Sequence, residues 1–132
     1  MSYDLRRRVY ESLQGDPHLT EMVGDRVLAR TGLEEKGHDL EKPFVVYFFG
    51  FEGKLGPTVL GAGGQWIHVW AHQARGDFFL VDQILDRCRA VLEALPNEGP
   101  FYEIRHLERS QDLEDPAMET NCRFDRYQAI VI

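Results

Sequence analysis

Residues Gln65–Gln73 read Gln-Trp-Ile-His-Val-Trp-Ala-His-Gln, and a segment with helical spacing follows almost at once. Side chains that alternate with a period of two define a β-strand with two faces. Trp66, His68, Trp70 and His72 share one face, and Ile67, Val69 and Ala71 share the other. Downstream, Phe78, Val81, Leu85, Cys88, Leu92 and Leu95 recur at spacings of three and four, widened by Ile84 and Val91. That spacing predicts an amphipathic helix over 77–95, with Asp77 as N-cap and Pro96 as the stop. Burying those apolar side chains stabilises by roughly 1.5–3 kcal/mol each before chain entropy opposes it. The helix is therefore expected to lie on Ile67, Val69 and Ala71. Two tryptophans on the opposite face then need a cover of their own.

Working outward from this join, a helix is expected over 3–14, where Leu5, Val9 and Leu13 recur at i, i+4 and i+8 with Ser2 as N-cap. Gly15 stops it. Asp16-Pro17 opens a short second helix, with Asp as N-cap and Pro at the first helical position. Leu19, Met22 and Val23 form its apolar side, and Gly24 ends it where a left-handed residue is tolerated. Residues 26–30 form a short strand. Phe44–Phe49 is an apolar, aromatic and β-branched run that reads as a strand covered on both faces, with Pro43 at its start. Phe101–Arg109 alternates as a further strand. Residues 110–120 form a polar, acidic connection, and Cys122–Ile132 closes the chain as an apolar strand inside the sheet. Two segments read as long loops, 31–42 and the glycine-rich 50–64. Long loops in a compact domain are commonly functional, and these are expected to be mobile and to order against a partner. The fold class is α+β over residues 1–132. It combines a mixed or antiparallel sheet of about four to five strands with an N-terminal helix and one long amphipathic helix packed on one face.

The 132 residues suit one domain, and 43% hydrophobic with 28% charged residues is an ordinary globular balance. No apolar run is long enough to span a membrane, and Met1–Arg8 lacks the apolar core of a secretory signal, so synthesis in a cytoplasm is expected. The net charge of −7 argues against a protein that grips nucleic acid with its whole surface. Arg6-Arg7-Arg8 point around most of a helix circumference and read as a solvated flank. Cys88 and Cys122 lie inside apolar patterns with no Cys-x-x-Cys spacing and read as buried free thiols.

No reaction is legible in the motifs. His68 and His72 share a face, but four residues of strand span about 13 Å, too far for two ligands of one zinc. His68 with His106 from another strand is the remaining metal pairing. The glycine loop fails as a phosphate cradle: Leu55 follows Gly53-Lys54, and Phe48 stands where a Walker loop needs its first glycine. The dinucleotide fingerprint fails at Trp66. Thr31, Thr58 and Ser110 sit in no nucleophile elbow. The acidic groups Glu34-Glu35 and Asp112/Glu114/Asp115 have the polar surroundings of solvated loops. No cofactor is expected.

Taken in order, Asp16-Pro-His-Leu-Thr-Glu-Met-Val-Gly-Asp-Arg-Val27, Pro43-Phe-Val-Val-Tyr47, the His68-Val69-Trp70 strand and the following helix form a series. This series resembles the tail terminator (tail completion) proteins of long-tailed bacteriophages. The resemblance covers nearly the whole chain and implies an α+β structural protein of the virion, without enzyme activity or cofactor. It implies a homo-oligomeric ring, usually a hexamer, at the head-proximal end of the tail. There the ring would end tube polymerisation on the major tail tube protein and present a surface to the head–tail connector or neck protein. DNA would cross the lumen without specific binding, which suits a negative net charge. The family has no fixed ligand motif. The assembly interface is therefore sought in this chain's own loops and helix-free face: Glu34, Glu35, Lys36, Phe51, Lys54, Leu55, Trp66 and Trp70. Three other readings compete. One is a head–tail connector or neck protein, one a small metal- or ligand-binding enzyme using His68 and His106, and one a regulatory binding module.

Overall fold

The computed structural model describes residues 3–29, 40–54, 63–76, 78–95 and 101–131, with side chains described except at 3, 4, 51–54, 63, 64, 101, 102 and 131. The elements run α1 (Tyr3–Gly15), α2 (Pro17–Val23), β1 (Val27–Ala29), β2 (Phe44–Lys54), β3 (Gly63–Ala74), α3 (Phe78–Glu93), β4 (Phe101–Arg109), β5 (Leu113–Asp115) and β6 (Thr120–Val131). They build one mixed six-stranded sheet in the order β1-β2-β3-β6-β4, with β5 also paired to β6. β1 runs parallel to β2, and every other pairing is antiparallel. The architecture is α+β, as the spacing predicts. The one strand beyond expectation is β5, three residues inside the acidic connection 110–120. It is too short to carry a readable alternation.

The helix boundaries follow from local chemistry. Asp16 adopts an extended backbone and its carboxylate accepts the Leu19 N–H at 2.9 Å, while Pro17 occupies the first turn of α2. Gly24 ends α2 at φ 62°, and its N–H donates to the Thr20 carbonyl at 2.8 Å. A side chain there would be strained, so glycine is required. The expected caps Ser2 and Asp77, and the stop at Pro96, lie outside the described residues.

The three described helices share one side of the sheet. Leu5, Val9 and Leu13 of α1, Leu19 and Val23 of α2, and Val81, Ile84, Leu85, Cys88 and Leu92 of α3 form a single buried cluster. On the sheet side it includes Val45 and Tyr47 of β2, Ile67, Val69 and Ala71 of β3, Ile104 of β4, and Tyr127 and Ala129 of β6. Ile67, Val69 and Ala71 thus lie under the helices, as their alternation requires. β6 is central, between β3 on one side and β4 and β5 on the other, which accounts for its apolar end.

The glycine-rich stretch departs from expectation. Residues 50–54 and 63–64, read above as loop, are strand: Glu52 pairs with Gln65, Gly53 with Gly64 and Lys54 with Gly63. Glycine weakens a strand without preventing the backbone ladder, and here the partner strand supplies the order that composition does not. The register shifts between Phe49 and Glu52, the mark of a bulge. The Gln65 amide donates to the Gly50 carbonyl at 2.6 Å, replacing a ladder bond that the irregularity disrupts. Residues 55–62 and 31–39 of the two expected loops lie outside the described residues. Leu40, from the end of the first, is buried.

Gly50 also makes room for the other face. A Cβ at this position would sit 3.0 Å from His68 Nε2 and 3.4 Å from the Trp66 Cβ. Gly50→Ala should therefore destabilise by about 1–3 kcal/mol, the cost of overpacking, as measured by denaturant unfolding. A neutral substitution would mean that the His68 ring yields freely.

Candidate functional site

The face away from the described helices is built from cross-strand rows of β2, β3 and β6. Phe44, His72 and Cys122 form one row; Val46, Trp70 and Phe124 the next; Phe48, His68 and Arg126 the third. Trp66 and Gln128 extend the pattern. Residues directly opposite in antiparallel strands point the same way and pack as pairs. Rings stand against one another along these rows: Phe44 on His72 and Phe48 on His68, each with centroids 4.6 Å apart, and Trp70 against Phe124 at 4.7 Å. The Arg126 guanidinium lies 4.6 Å from the Trp66 ring centroid and pairs with Glu108 of β4.

This face is closed at one end and half open at the other. Leu40 and Met118 cover Phe44 and Val46 in a small second core, with Trp70 packed against it. Phe48, Trp66, His68, Trp70, Phe124 and Arg126 are only half-buried. Among the described residues, the buried Trp70 Nε1 and Arg126 Nε have no hydrogen-bond acceptor. Of the interface residues expected from sequence, Trp66 and Trp70 are brought together here. Phe51 and Lys54 fall in β2 with side chains not described, and Glu34, Glu35, Lys36 and Leu55 lie outside the described residues.

The two face histidines differ in setting. His72 is 4% exposed and its Nδ1 lies 2.8 Å from the Thr120 hydroxyl. Burial pushes its pKa down to about 4. His68 is also shifted down, by burial first and then by the Arg126 charge. Both are neutral aromatic packing at pH 7. The pairing of His68 with His106 for a metal fails on topology. His68 sits opposite Arg126 on β6, whereas His106 sits opposite Tyr127. Neighbouring residues of one strand point to opposite faces, so the two imidazoles lie on opposite sides of the sheet. Among the described residues, no group of three His, Cys, Asp or Glu is placed to hold a metal ion.

The other charged cluster lies under α3. Asp125 of β6 is fully buried and takes two hydrogen bonds from Arg109 of β4, at 2.7 and 2.9 Å. Arg109 also reaches Asp86 of α3 at 2.8 Å, and Arg123 reaches Asp82 of α3 at 2.6 Å. The Asp125 hydrogen bond, then Asp86, hold the Arg109 guanidinium pKa above its ordinary value. A second clamp joins α2 to α3: Arg87 donates to both oxygens of Asp16, at 2.8 and 2.6 Å. Those bonds hold the Asp16 carboxyl below the usual carboxylate range. Asp112 lies 3.4 Å from Arg123, and Asp115 caps the turn at Met118 N. These carboxylates are partners of arginines and of a turn N–H, and the Tyr127 hydroxyl lies 3.5 Å from Asp125. Cys88 is fully buried, which pushes its thiol pKa up and makes it inert.

No protein-family model matches this sequence, and no curated protein matches it. The fold is similar to the solved structure of the bacteriophage SPP1 gp17 protein. The TM-score is 0.57 at 20% identity, over 97% of this chain and 88% of that one. At that identity the likeness establishes a shared fold over nearly the full length of both chains.

Two outcomes follow from the ionisable groups. His72 has a folded pKa of about 4 against an ordinary 6.5, so the unfolded chain binds its proton first as pH falls. Its contribution to stability is present above pH 6.5 and is lost as pH falls to about 4, by at most about 3 kcal/mol. The His72→Gln variant, whose amide does not titrate, should lose less over that window in unfolding titrations; equal losses would remove His72 as the cause. Asp125→Ala should cost about 3 kcal/mol by the same measurement, because Arg109 loses its buried partner.

Proposed function

We propose that this chain is a structural protein of a phage tail, a terminator that forms a ring at the head-proximal end of the tube. The observation that carries the reading is the fold shared with a bacteriophage protein over 97% of this chain. The resemblance of Asp16–Val27 and the His68–Trp70 strand to tail terminators points the same way from sequence. The half-open aromatic face gives it a physical basis. Four large, half-buried rings and an arginine on a sheet face away from the described helices form the kind of contiguous patch that marks a protein contact. In this reading the ring is a homo-oligomer, a hexamer by family resemblance. It stops polymerisation of the tube protein, meets the connector or neck protein on its other side, and lets DNA pass. The protein acts by contact and performs no catalysis. Trp66 and Trp70 belong to the assembly interface.

The test is a tube-assembly reaction with the cognate tube protein. Added chain should halt growth and appear as a ring at one tube end in electron micrographs. Tubes that grow past it would overturn the reading. Trp70→Ala should impair ring formation more than it lowers the unfolding midpoint. Equal loss of both would make Trp70 part of the core alone.

A further inference from the structure

The sheet has two edges, and both are open over the same rows. Among the described residues, no strand pairs with the outer side of β4. β1 pairs with β2 only at Val45–Tyr47, so Phe49–Lys54 have no described strand on the side away from β3. Phe49 stands in line with Ile67, Tyr127 and His106 across the sheet. Glu52 stands in line with Gln65, Ala129 and Ile104, and Lys54 with Gly63, Val131 and Phe101. Such an edge presents backbone N–H and C=O groups that a further strand can pair. β4 is also guarded. Its register shifts between Phe101 and Glu103 and again between His106 and Glu108, and Glu103, Arg105 and Glu108 are exposed along it. Bulges and charges of this kind discourage indiscriminate strand addition. Between the two irregularities, Glu103–His106 keep regular register and lie level with the open stretch of β2.

We infer that β4 of one copy pairs with β2 of the next at Phe49–Lys54, joining the sheets of neighbouring copies edge to edge. The strand directions point to a second copy of this chain as the occupant. Three successive antiparallel pairings link β2, β3, β6 and β4, so β4 runs opposite to β2. Brought beside β2 of another copy in the same orientation, β4 continues the antiparallel ladder without a break. The helices then stay on one side of the joined sheet. The level rows let successive copies pair without sliding along the strands, which favours a closed ring over an open helical filament. Each contact uses one β4 edge and one β2 edge and leaves one of each for the next copy. Such heterologous contacts close when the rotation per copy permits. β1, three residues long, stops at the row of Tyr47, where the added strand begins. The inference rests on the ring reading in that copies must meet. It adds which backbone segments meet.

Hydrogen exchange on the free chain and on the ring tests the pairing directly. Alternate amides of Glu103–His106 and of Phe49–Lys54 should exchange at least about tenfold more slowly in the ring, because a new ladder protects them. Protection of those amides already in the free chain would mean that another part of the same chain occupies the edges. Unchanged exchange in the ring would place the contact elsewhere. Either result overturns the pairing and leaves the ring reading standing. Cross-linking identifies the partner strand. Gly53→Cys and Glu103→Cys lie in one row of the sheet, and the native Cys88 and Cys122 are buried and do not compete. Mixed and mildly oxidised in the assembled state, the two single variants should give a disulfide-linked heterodimer in clear excess over either variant alone. Glu103→Cys linking chiefly to itself would mean that β4 pairs with β4, and would also overturn the inference. A chain that stays monomeric at every concentration and at tube ends would overturn both readings.

Discussion

The packing of α3 on β3 and β6 is the constraint on which the rest of the molecule depends. Val81, Ile84, Leu85, Cys88 and Leu92 are buried along one side of this helix, each worth roughly 1.5–3 kcal/mol of removed apolar surface. Among the described residues the exposed ion pairs contribute about 0–1 kcal/mol each, and even the loss of the buried Asp125 partner, about 3 kcal/mol, is smaller than that sum. The charges do something else. Asp82 reaches Arg123, Asp86 reaches Arg109, and Arg87 reaches Asp16. Three side chains within about one and a half turns of α3 therefore address β6, β4 and α2. Apolar burial holds the helix down, and the paired charges set its register along the sheet. Arg109 also lies 3.6 Å from Asp82, so two acids one turn apart on α3 flank the guanidinium that Asp125 holds from β6.

How much of this was legible in the sequence depends on the range of the interaction. Alternation in 66–72 and the three-four spacing in 78–95 assigned both faces of β3 and the buried side of α3, because each pattern is local and strong. The Asp16-Pro17 start of α2 was legible for the same reason. The Asp125–Arg109 and Asp16–Arg87 pairs were not, because their partners are 16 and 71 residues apart. A signal existed for the first. Asp125 shares the inward phase of Tyr127 and Ala129, and an acid at an inward position requires a buried cation. The glycines of 50–64 misled in the other direction. Composition reports the entropy a segment must lose, and it is silent about the partner strand that compensates. Gly50 is where a ring from the opposite face approaches the backbone, a requirement that only the pairing of β2 with β3 reveals.

The candidate surface was half legible. Period two placed Trp66, His68, Trp70 and His72 together. It could not say that Leu40 and Met118 close one end over Phe44 and Val46. Those covers come from segments without periodicity of their own. The result is a gradient across one face, from a sealed small core at Phe44 and His72 to half-exposed rings at Phe48, Trp66 and Phe124. The sealed end makes His72 an element of stability. The open end leaves the Trp66–Arg126 contact at the surface.

That gradient links fold to function. A sheet with helices on both faces would satisfy itself, and its strands would read as continuous apolar runs. Here β3 alternates aliphatic residues with tryptophan and histidine, an intermediate polarity that tolerates water and still gains from being covered. A wholly aliphatic face would force aggregation of the free chain, and a wholly polar one would give copies no reason to meet. Tryptophan and imidazole, stacked across strands and bordered by Arg126 and Glu108, leave the open end of the face intermediate in polarity. In the proposed tail-terminator reading, a surface of this kind suits a protein that folds first and assembles later.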